Sequence, residues 1–316
     1  MTAREAAANF VSISEDCDRH EQLVEHIENL WGSTFAQLME CEDCGFGFSN
    51  PFVSGDPEFY RLAYVRSAYP TARWEFDHTL DCLGGRLSSV RSVLEIGAGD
   101  GVFLDLLRPQ LGSDVEIHAT EFYQGGLCKL REKGYFAHSG DFRCLPEVAE
   151  RTFDLIFMFQ VLEHLNDVTQ VFEQLRKMLR PGGEVFVAVP NKRRTTFNEE
   201  NHSLIDMPPN HVGRWEPRTF DRLAERTGFD LVSHRFQDCS VRQFVKTDIY
   251  YSHCRRAQEP GSLAGWLRSI ERGGLRKAAI ISEMLLFAPT RLAVWRRAAN
   301  RNDLGGALWA QMRRAG

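Results

Sequence analysis

Between residues 93 and 189, short apolar runs alternate with stretches of helical periodicity, and this rhythm constrains the fold more than any other feature of the chain. Runs at 93–96, 115–119, 135–137, 153–159 and 185–189 read as strands. The 153–159 run is apolar almost without a break, as in a strand covered on both faces. Stretches at 102–107, 125–133 and 167–179 read as helices. In the last of these Val168, Val171, Phe172, Leu175, Met178 and Leu179 recur with a 3.6-residue period, and Pro181-Gly182-Gly183 forms the turn that stops it. Strands alternating with helices build a mostly parallel sheet covered on both sides. Past residue 190 the rhythm loosens. Residues 191–215 are rich in Asn, Arg, Pro and His and read as a functional loop over the sheet edge. A helix at 217–227, a sixth strand at 231–236, a basic helical region at 242–301 and a last strand at 307–312 complete the fold.

Composition agrees with a folded α/β chain. Of 316 residues, 43% are hydrophobic and 26% charged, which excludes a disordered protein. Eight cysteines are scattered, and a core of this size needs no disulfide staples. The start has no apolar signal core. The run 278–289 is broken by Glu283 and too short to span a bilayer, so the expected localisation is cytoplasmic. Charge is uneven. Residues 241–316 hold 14 Lys/Arg and 5 Asp/Glu, a balance of +9, and the rest carries −14. A nucleic-acid partner is not expected of so acidic a body.

The first strand runs into Glu95-Ile-Gly97-Ala98-Gly99-Asp-Gly101. Glycines between a strand and a helix let a ligand approach the backbone, and the helix start offers free N–H groups. The dinucleotide pattern would need glycine at 102, where Val102 stands, and no P-loop occurs. Glu121 closes the second strand, 24 residues past Gly97, where an acid accepts ribose hydroxyls. Asp141 follows the third strand, placed to accept from an exocyclic amine, with Phe142 beside it to pack on a purine.

These residues resemble the class I S-adenosylmethionine-dependent methyltransferases. The linked segments Phe153-Asp-Leu-Ile-Phe-Met-Phe-Gln-Val-Leu-Glu163-His164 and Leu179-Arg-Pro-Gly-Gly-Glu-Val-Phe-Val-Ala-Val-Pro-Asn191 resemble the family's fourth- and fifth-strand motifs. The Val-Leu-Glu-His wording is similar to the small-molecule branch that includes ubiquinone-biosynthesis methyltransferases. The resemblance implies a Rossmann-like doubly wound sheet of seven strands. It implies S-adenosylmethionine as cofactor, with Glu95, Gly97, Ala98, Gly99 and Gly101 around its methionine part. Glu121 and Phe122 would lie at the ribose, Asp141 and Phe142 at the adenine, and Gln160 at the methyl-transfer cleft. Tyr69 would contact the sulfonium or carboxylate end, or simply pack among aromatics.

The acceptor needs alignment and, if it is a hydroxyl, a base. His211, in Pro-Pro-Asn-His-Val-Gly-Arg-Trp, is the first candidate for base or substrate anchor, with His164 and His202 as further candidates. The bland alternative is a loop histidine bonded to backbone. Toward the N-terminus, Cys17-x-x-His20 and Cys41-x-x-Cys44 are spaced for a tetrahedral structural zinc, with His26 as a rival ligand. The second knuckle resembles the zinc-ribbon lead-in of related methyltransferases. The first departs from it, so a degenerate ribbon with free thiols is the competing reading.

The expected organisation is a cysteine module at 1–55, a cofactor-covering helical segment at 56–89, the methyltransferase core at 90–240, a basic helical insertion at 241–303 and the final core strand at 304–316. The insertion mixes Trp266, Leu267, Ile270 and Leu275 with arginines. It reads as a cap or a homodimer surface, with contact to a membrane or lipid-linked substrate as the alternative. The expected activity is methyl transfer to oxygen or nitrogen of a small molecule of sugar or secondary-metabolite type. The alternatives are a macromolecule methyltransferase and a non-catalytic cofactor-binding scaffold.

Overall fold

The computed structural model describes every residue except 12, 14–15, 65–70, 201–203, 205, 260, 271–272 and 302. Its ten described strands are β1 (Gln37–Glu40), β2 (Gly47–Asn50), β3 (Ser92–Ile96), β4 (Glu116–Glu121), β5 (Phe136–Ser139), β6 (Phe153–Phe159), β7 (Leu179–Pro190), β8 (Gly213–Arg214), β9 (Phe229–Phe236) and β10 (Ala307–Arg314).

Seven strands form one sheet in the order β5-β4-β3-β6-β7-β10-β9. The first five run parallel, and β10 pairs antiparallel with both β7 and β9. The order reverses between β3 and β6, so a crevice opens beyond their C-terminal ends, where α/β sheets bind ligands. The central strands β3 and β6 and residues 183–189 of β7 are almost wholly buried because helices cover both faces. Leu94, Ile156, Phe172 and Leu308 share one core, and Val93, Phe103, Phe157 and Trp309 the other.

The expected class is therefore found: α/β, doubly wound, with seven strands. Two local expectations need correction. Pro181-Gly182-Gly183 does not stand between a helix and a separate strand. The helix Val168–Met178 passes directly into β7, whose Leu179 pairs with Phe153 and whose Glu184 pairs with Leu155. The intervening residues bulge out of the ladder, with Gly182 at φ +75°. Residues 191–215 are also not all loop. They contain the helix Lys192–Glu200 and β8, which pairs with β2 of the N-terminal hairpin. A polar helix that caps a crevice lacks the apolar stripe by which helices are read from sequence.

The N-terminal residues form helices Ala3–Ala8 and Cys17–Trp31 and the β1–β2 hairpin. The hairpin is tied to the core through backbone carbonyls. The Thr219 hydroxyl donates to the Cys44 carbonyl at 3.0 Å, and Lys192 Nζ donates to the Gly45 carbonyl at 2.7 Å. Phe46 packs against buried Trp215 at 4.9 Å between ring centres. Between β9 and β10, helices Val241–Gln258, Leu263–Ser269, Gly274–Phe287 and Leu292–Ala299 make the helical insertion.

Candidate active site

The glycine loop folds as its composition demands. Gly97, Gly99 and Gly101 have φ of +71°, +55° and +75°, a region costly for residues with a Cβ. A Cβ on Gly97 would lie 2.4 Å from Val161 Cγ2, so the turn also needs glycine for space against the end of β6. The Gly97 and Ala98 N–H groups donate to the Thr120 carbonyl, which fixes the loop against β4.

Glu121 does more than the sequence reading allots to it. Its Oε2 accepts from Gly99 N–H at 2.7 Å, and its Oε1 accepts from Phe122 and Tyr123 N–H at 2.8 and 2.9 Å. The carboxylate thus shapes the loop as well as facing the crevice. Glu95, the penultimate residue of β3, is buried, with Oε2 lacking a partner among the described residues. Burial and the neighbouring Glu121 push its carboxyl well above the ordinary range. A buried acceptor without a donor beside a glycine cradle fits a cationic ligand group such as the ammonium of a bound amino acid.

Asp141 is chelated by Arg143, with contacts of 2.6–3.0 Å to both oxygens. Phe142 does not lie open to an adenine. It is 2% exposed and belongs to the main core cluster, because the chain after β5 turns inward there. Phe122, 65% exposed at the end of β4, is the ring left open. Gln160 follows β6 in a left-handed conformation, φ +56°, which a non-glycine residue adopts at a cost and which recurs at functional sites. Its amide N–H donates to the Ala188 carbonyl, and its side chain donates to Glu75 at 3.2 Å.

Glu75 is the residue that sequence reading missed. It is buried in the first turn of the helix Trp74–Leu83 and pairs with Arg73 at 3.3 Å. Its signal was available as an acid on the inward side of a helix. Arg73 also acts electrostatically on both Glu95 and Glu163, so it stands between the glycine loop and the acceptor side.

Past Gln160 the short helical turn Leu162–His164 delivers Glu163 and His164 to the crevice, and the loop before β8 delivers His211. One ligand atom from each of the three lies within 4.8 Å of the other two. Their outer sides are tied down. His164 Nδ1 is 2.6 Å from the Asn210 carbonyl and 3.0 Å from the Tyr60 hydroxyl, and His211 Nδ1 is 3.2 Å from Asp206 Oδ1. A ring nitrogen facing a carbonyl or carboxylate carries the proton, which leaves each Nε2 with its lone pair. Glu163 Oε2 has no partner among the described residues. Several acceptors thus face one space, an arrangement that calls for a substrate hydroxyl, a shared proton or a cation.

The titrations follow from this packing. Burial pushes Glu163 up to about 7, against the pull of His211. Burial and the neighbouring His211 depress His164 to about 3, so its ring is neutral. Burial alone would lower His211, but the bond and charge of Asp206 outweigh it and raise the ring above its ordinary 6.5. Asp206 is held down in turn, burial being overcome by His211.

The expected zinc set is not assembled. Among the described residues Cys17, His20, Cys41 and Cys44 form no cluster of ligand atoms. His20 Nδ1 is bonded to the Val11 carbonyl at 2.8 Å in a buried site, and Cys17 is exposed at the start of its helix. His26 pairs with Asp56 instead. Cys41 and Cys44 do form a knuckle, in which backbone N–H groups of Cys44 and Asp43 hold the Cys41 thiol below its usual range. The turn's Cys44 and Gly45 carbonyls are fastened by Thr219 and Lys192. Tyr69 and His202 lie outside the described residues.

A family profile described as a methyltransferase domain matches residues 71–234, more than half of the chain. The chain belongs to this family of class I S-adenosylmethionine-dependent methyltransferases. Among curated relatives, a probable S-adenosylmethionine-dependent methyltransferase of Mycolicibacterium smegmatis is 30% identical over 145 residues, 45% of this chain and 52% of that one. The ubiquinone biosynthesis O-methyltransferase of Bradyrhizobium diazoefficiens is 28% identical over 162 residues, 50% of this chain and 59% of that one. The chain thus spans just over half the length of these relatives. An S-adenosylmethionine-dependent methyltransferase structure from Mesorhizobium loti aligns with TM-score 0.49 and 13% identity, covering 78% of this chain and 100% of the other.

The residues at the sheet edge fit the family's cofactor. The Glu95 oxygen without a partner among the described residues, the three left-handed glycines and the Glu121 carboxylate are of the kind that could accept from S-adenosylmethionine and let it approach the backbone closely.

Proposed function

We propose that this protein methylates an oxygen of a small molecule, with Asp206–His211 as the general base. The observation that carries the reading is the convergence of Glu163, His164 and His211 within 4.8 Å, with the Nδ1 atoms of both histidines already bonded, just beyond the Gln160 turn. S-adenosylmethionine, when bound, supplies a methyl group activated by a sulfonium. The chain's own residues must then place the acceptor oxygen in line, exclude water and remove its proton.

Asp206 fixes His211 with its Nε2 lone pair toward the crevice. His211 Nε2 would take the acceptor hydroxyl's proton as the methyl group leaves the sulfonium sulfur for the acceptor oxygen, and Asp206 would stabilise the imidazolium. His164 stays neutral, and its Nε2 would accept from a second donor group on the substrate, which orients the acceptor hydroxyl toward His211. Glu163, poised near neutral pH, adds negative charge as His211 gains its proton. Tyr60, whose hydroxyl lies 3.0 Å from His164, roofs this side, and burial keeps its phenol protonated. Glu95 and Gly97–Gly101 would hold the methionine part, Glu121 the ribose and Phe122 the adenine face. The O-methyltransferase names of relatives such as that of Bradyrhizobium diazoefficiens support oxygen as the acceptor atom.

The test is incubation with S-adenosylmethionine and a panel of phenols, catechols, sugars and amines, with products read by mass spectrometry. The reading expects O-methyl products that are lost in His211→Ala. Methylation of amines alone, or turnover unchanged in His211→Ala, would refute it.

A second reading rests on the same trio. Glu163, His164 and His211 offer a divalent cation three ligand atoms of suitable type. A cation there would lower the pKa of a bound hydroxyl in place of the base. Loss of turnover on chelation, restored by magnesium or zinc, would select it.

A further inference from the structure

The insertion carries a helix whose polarity is inverted. In Gly274–Phe287 the one acid, Glu283, is 3% exposed. It is held inside by His253 at 2.6 Å and Arg256 at 2.8 Å. The outward side instead carries Leu275, Ile281, Leu285 and Leu286, which are 90%, 56%, 63% and 67% exposed. Exposed Leu292 extends the stripe into the helix Leu292–Ala299. The helix Leu263–Ser269, which packs on Gly274–Phe287, adds Leu263 and Trp266 at 48% and 61% exposure. A soluble surface helix normally buries its leucines and exposes its acids. So large a contiguous apolar face is a docking surface.

Charge selects the occupant. Residues 274–299 contain five Lys/Arg and only the buried Glu283. Lys277, Arg296 and Arg297 are exposed around the stripe. Arg291 is turned inward, bonded to Asp248. Among the described residues of 263–299 the exposed charges are all cationic, and a face of leucines rimmed in this way complements a layer of apolar chains beneath anionic headgroups.

Length decides how it would sit. Gly274–Ala299 is long and apolar enough to be a candidate membrane span. Yet only 13 residues separate Lys277 from Arg291. That is about 20 Å of helix, short of the ~30 Å hydrocarbon core. The buried Glu283, with its two partners, lies between them.

We propose that the 263–299 helices dock this protein in-plane on an anionic lipid bilayer surface, leucines and Trp266 in the interface and the cations at the headgroups. The test is co-sedimentation of the full chain with phosphatidylcholine vesicles and with phosphatidylcholine–phosphatidylglycerol vesicles. Binding is expected to the anionic vesicles, weakened by salt, and abolished in Leu285→Glu/Leu286→Glu. Lys277→Ala/Arg296→Ala should weaken it by about fivefold per cation removed. Because these side chains are exposed, the variants should melt and bind S-adenosylhomocysteine like the parent, which separates lost docking from lost folding. Absence of binding to anionic vesicles would overturn the proposal, as would binding indifferent to Leu285→Glu/Leu286→Glu. A dimer that Leu285→Glu/Leu286→Glu splits, without vesicle binding by the parent, would assign the face to a second copy instead and equally overturn it.

Discussion

Replacing Asp206 by Asn tests whether His211 is tuned as a base. The two groups stand 3.2 Å apart with only 14% and 20% of their side chains exposed. At that separation Coulomb attraction is about 1 kcal/mol in water and about 5 kcal/mol at an effective dielectric constant of 20. That bracket corresponds to roughly one to four pKa units, and comparable pairs shift by one to three. Removing that attraction should lower the His211 pKa. The sign follows from the surroundings. Asp206 is the chief group holding His211 above 6.5, whereas burial and Arg214 push it down. In Asp206→Asn the imidazole should therefore titrate below 6.5. NMR titration of the ring carbons reads this without a substrate. In turnover the base must be neutral, so the parent's rate should rise with pH through a midpoint above 6.5. In the variant that limb should move to lower pH, while the plateau drops by about 10- to 100-fold because a weaker base remains. An unshifted His211 pKa, or a plateau and limb both unchanged, would refute the dyad.

Gly97→Ala should destabilise the fold by roughly 2–4 kcal/mol, since it combines a left-handed conformation with a 2.4 Å clash against Val161; chemical denaturation measures this. Glu121→Ala should weaken cofactor binding at least tenfold and loosen the glycine loop, because Gly99, Phe122 and Tyr123 N–H groups lose their acceptor; unchanged affinity by calorimetry would contradict it. Glu163→Gln should lower the His211 pKa, because Glu163 is a second anion favouring its charged form, and the same NMR titration checks the direction. Cys41→Ser/Cys44→Ser should leave stability within about 1 kcal/mol of the parent, since Thr219 and Lys192 hold the turn through its carbonyls.

The parallel sheet was legible because its strands are buried on both faces. The 153–159 run matches β6 residue for residue, and Gly97–Gly101 announce the turn that their positive φ values require. The zinc set expected from the cysteine spacing does not assemble, for a physical reason. Ligand spacing is a property of the chain, whereas ligation is a property of space. His20 is buried and bonded to the Val11 carbonyl, and it shares no ligand cluster with Cys41 among the described residues. Phe142 is buried in the core, because an aromatic after a strand serves a core as well as it serves a purine. The site beyond Gln160 was half visible. His164 and His211 stand out as residue types, but Glu75, Tyr60 and Asp206 acquire their roles through contacts between distant segments. Inversion of the 274–287 helix was also hidden, since period alone does not say which face turns outward.

The claim on which the rest depends is that the glycine loop and its flanking acids bind S-adenosylmethionine. Isothermal titration of the purified full chain with S-adenosylmethionine measures it directly. The account predicts one site per chain, weakened severely by Gly99→Arg, whose side chain would fill the loop at φ +55°. No heat of binding, or an affinity that Gly99→Arg leaves unchanged, would contradict it.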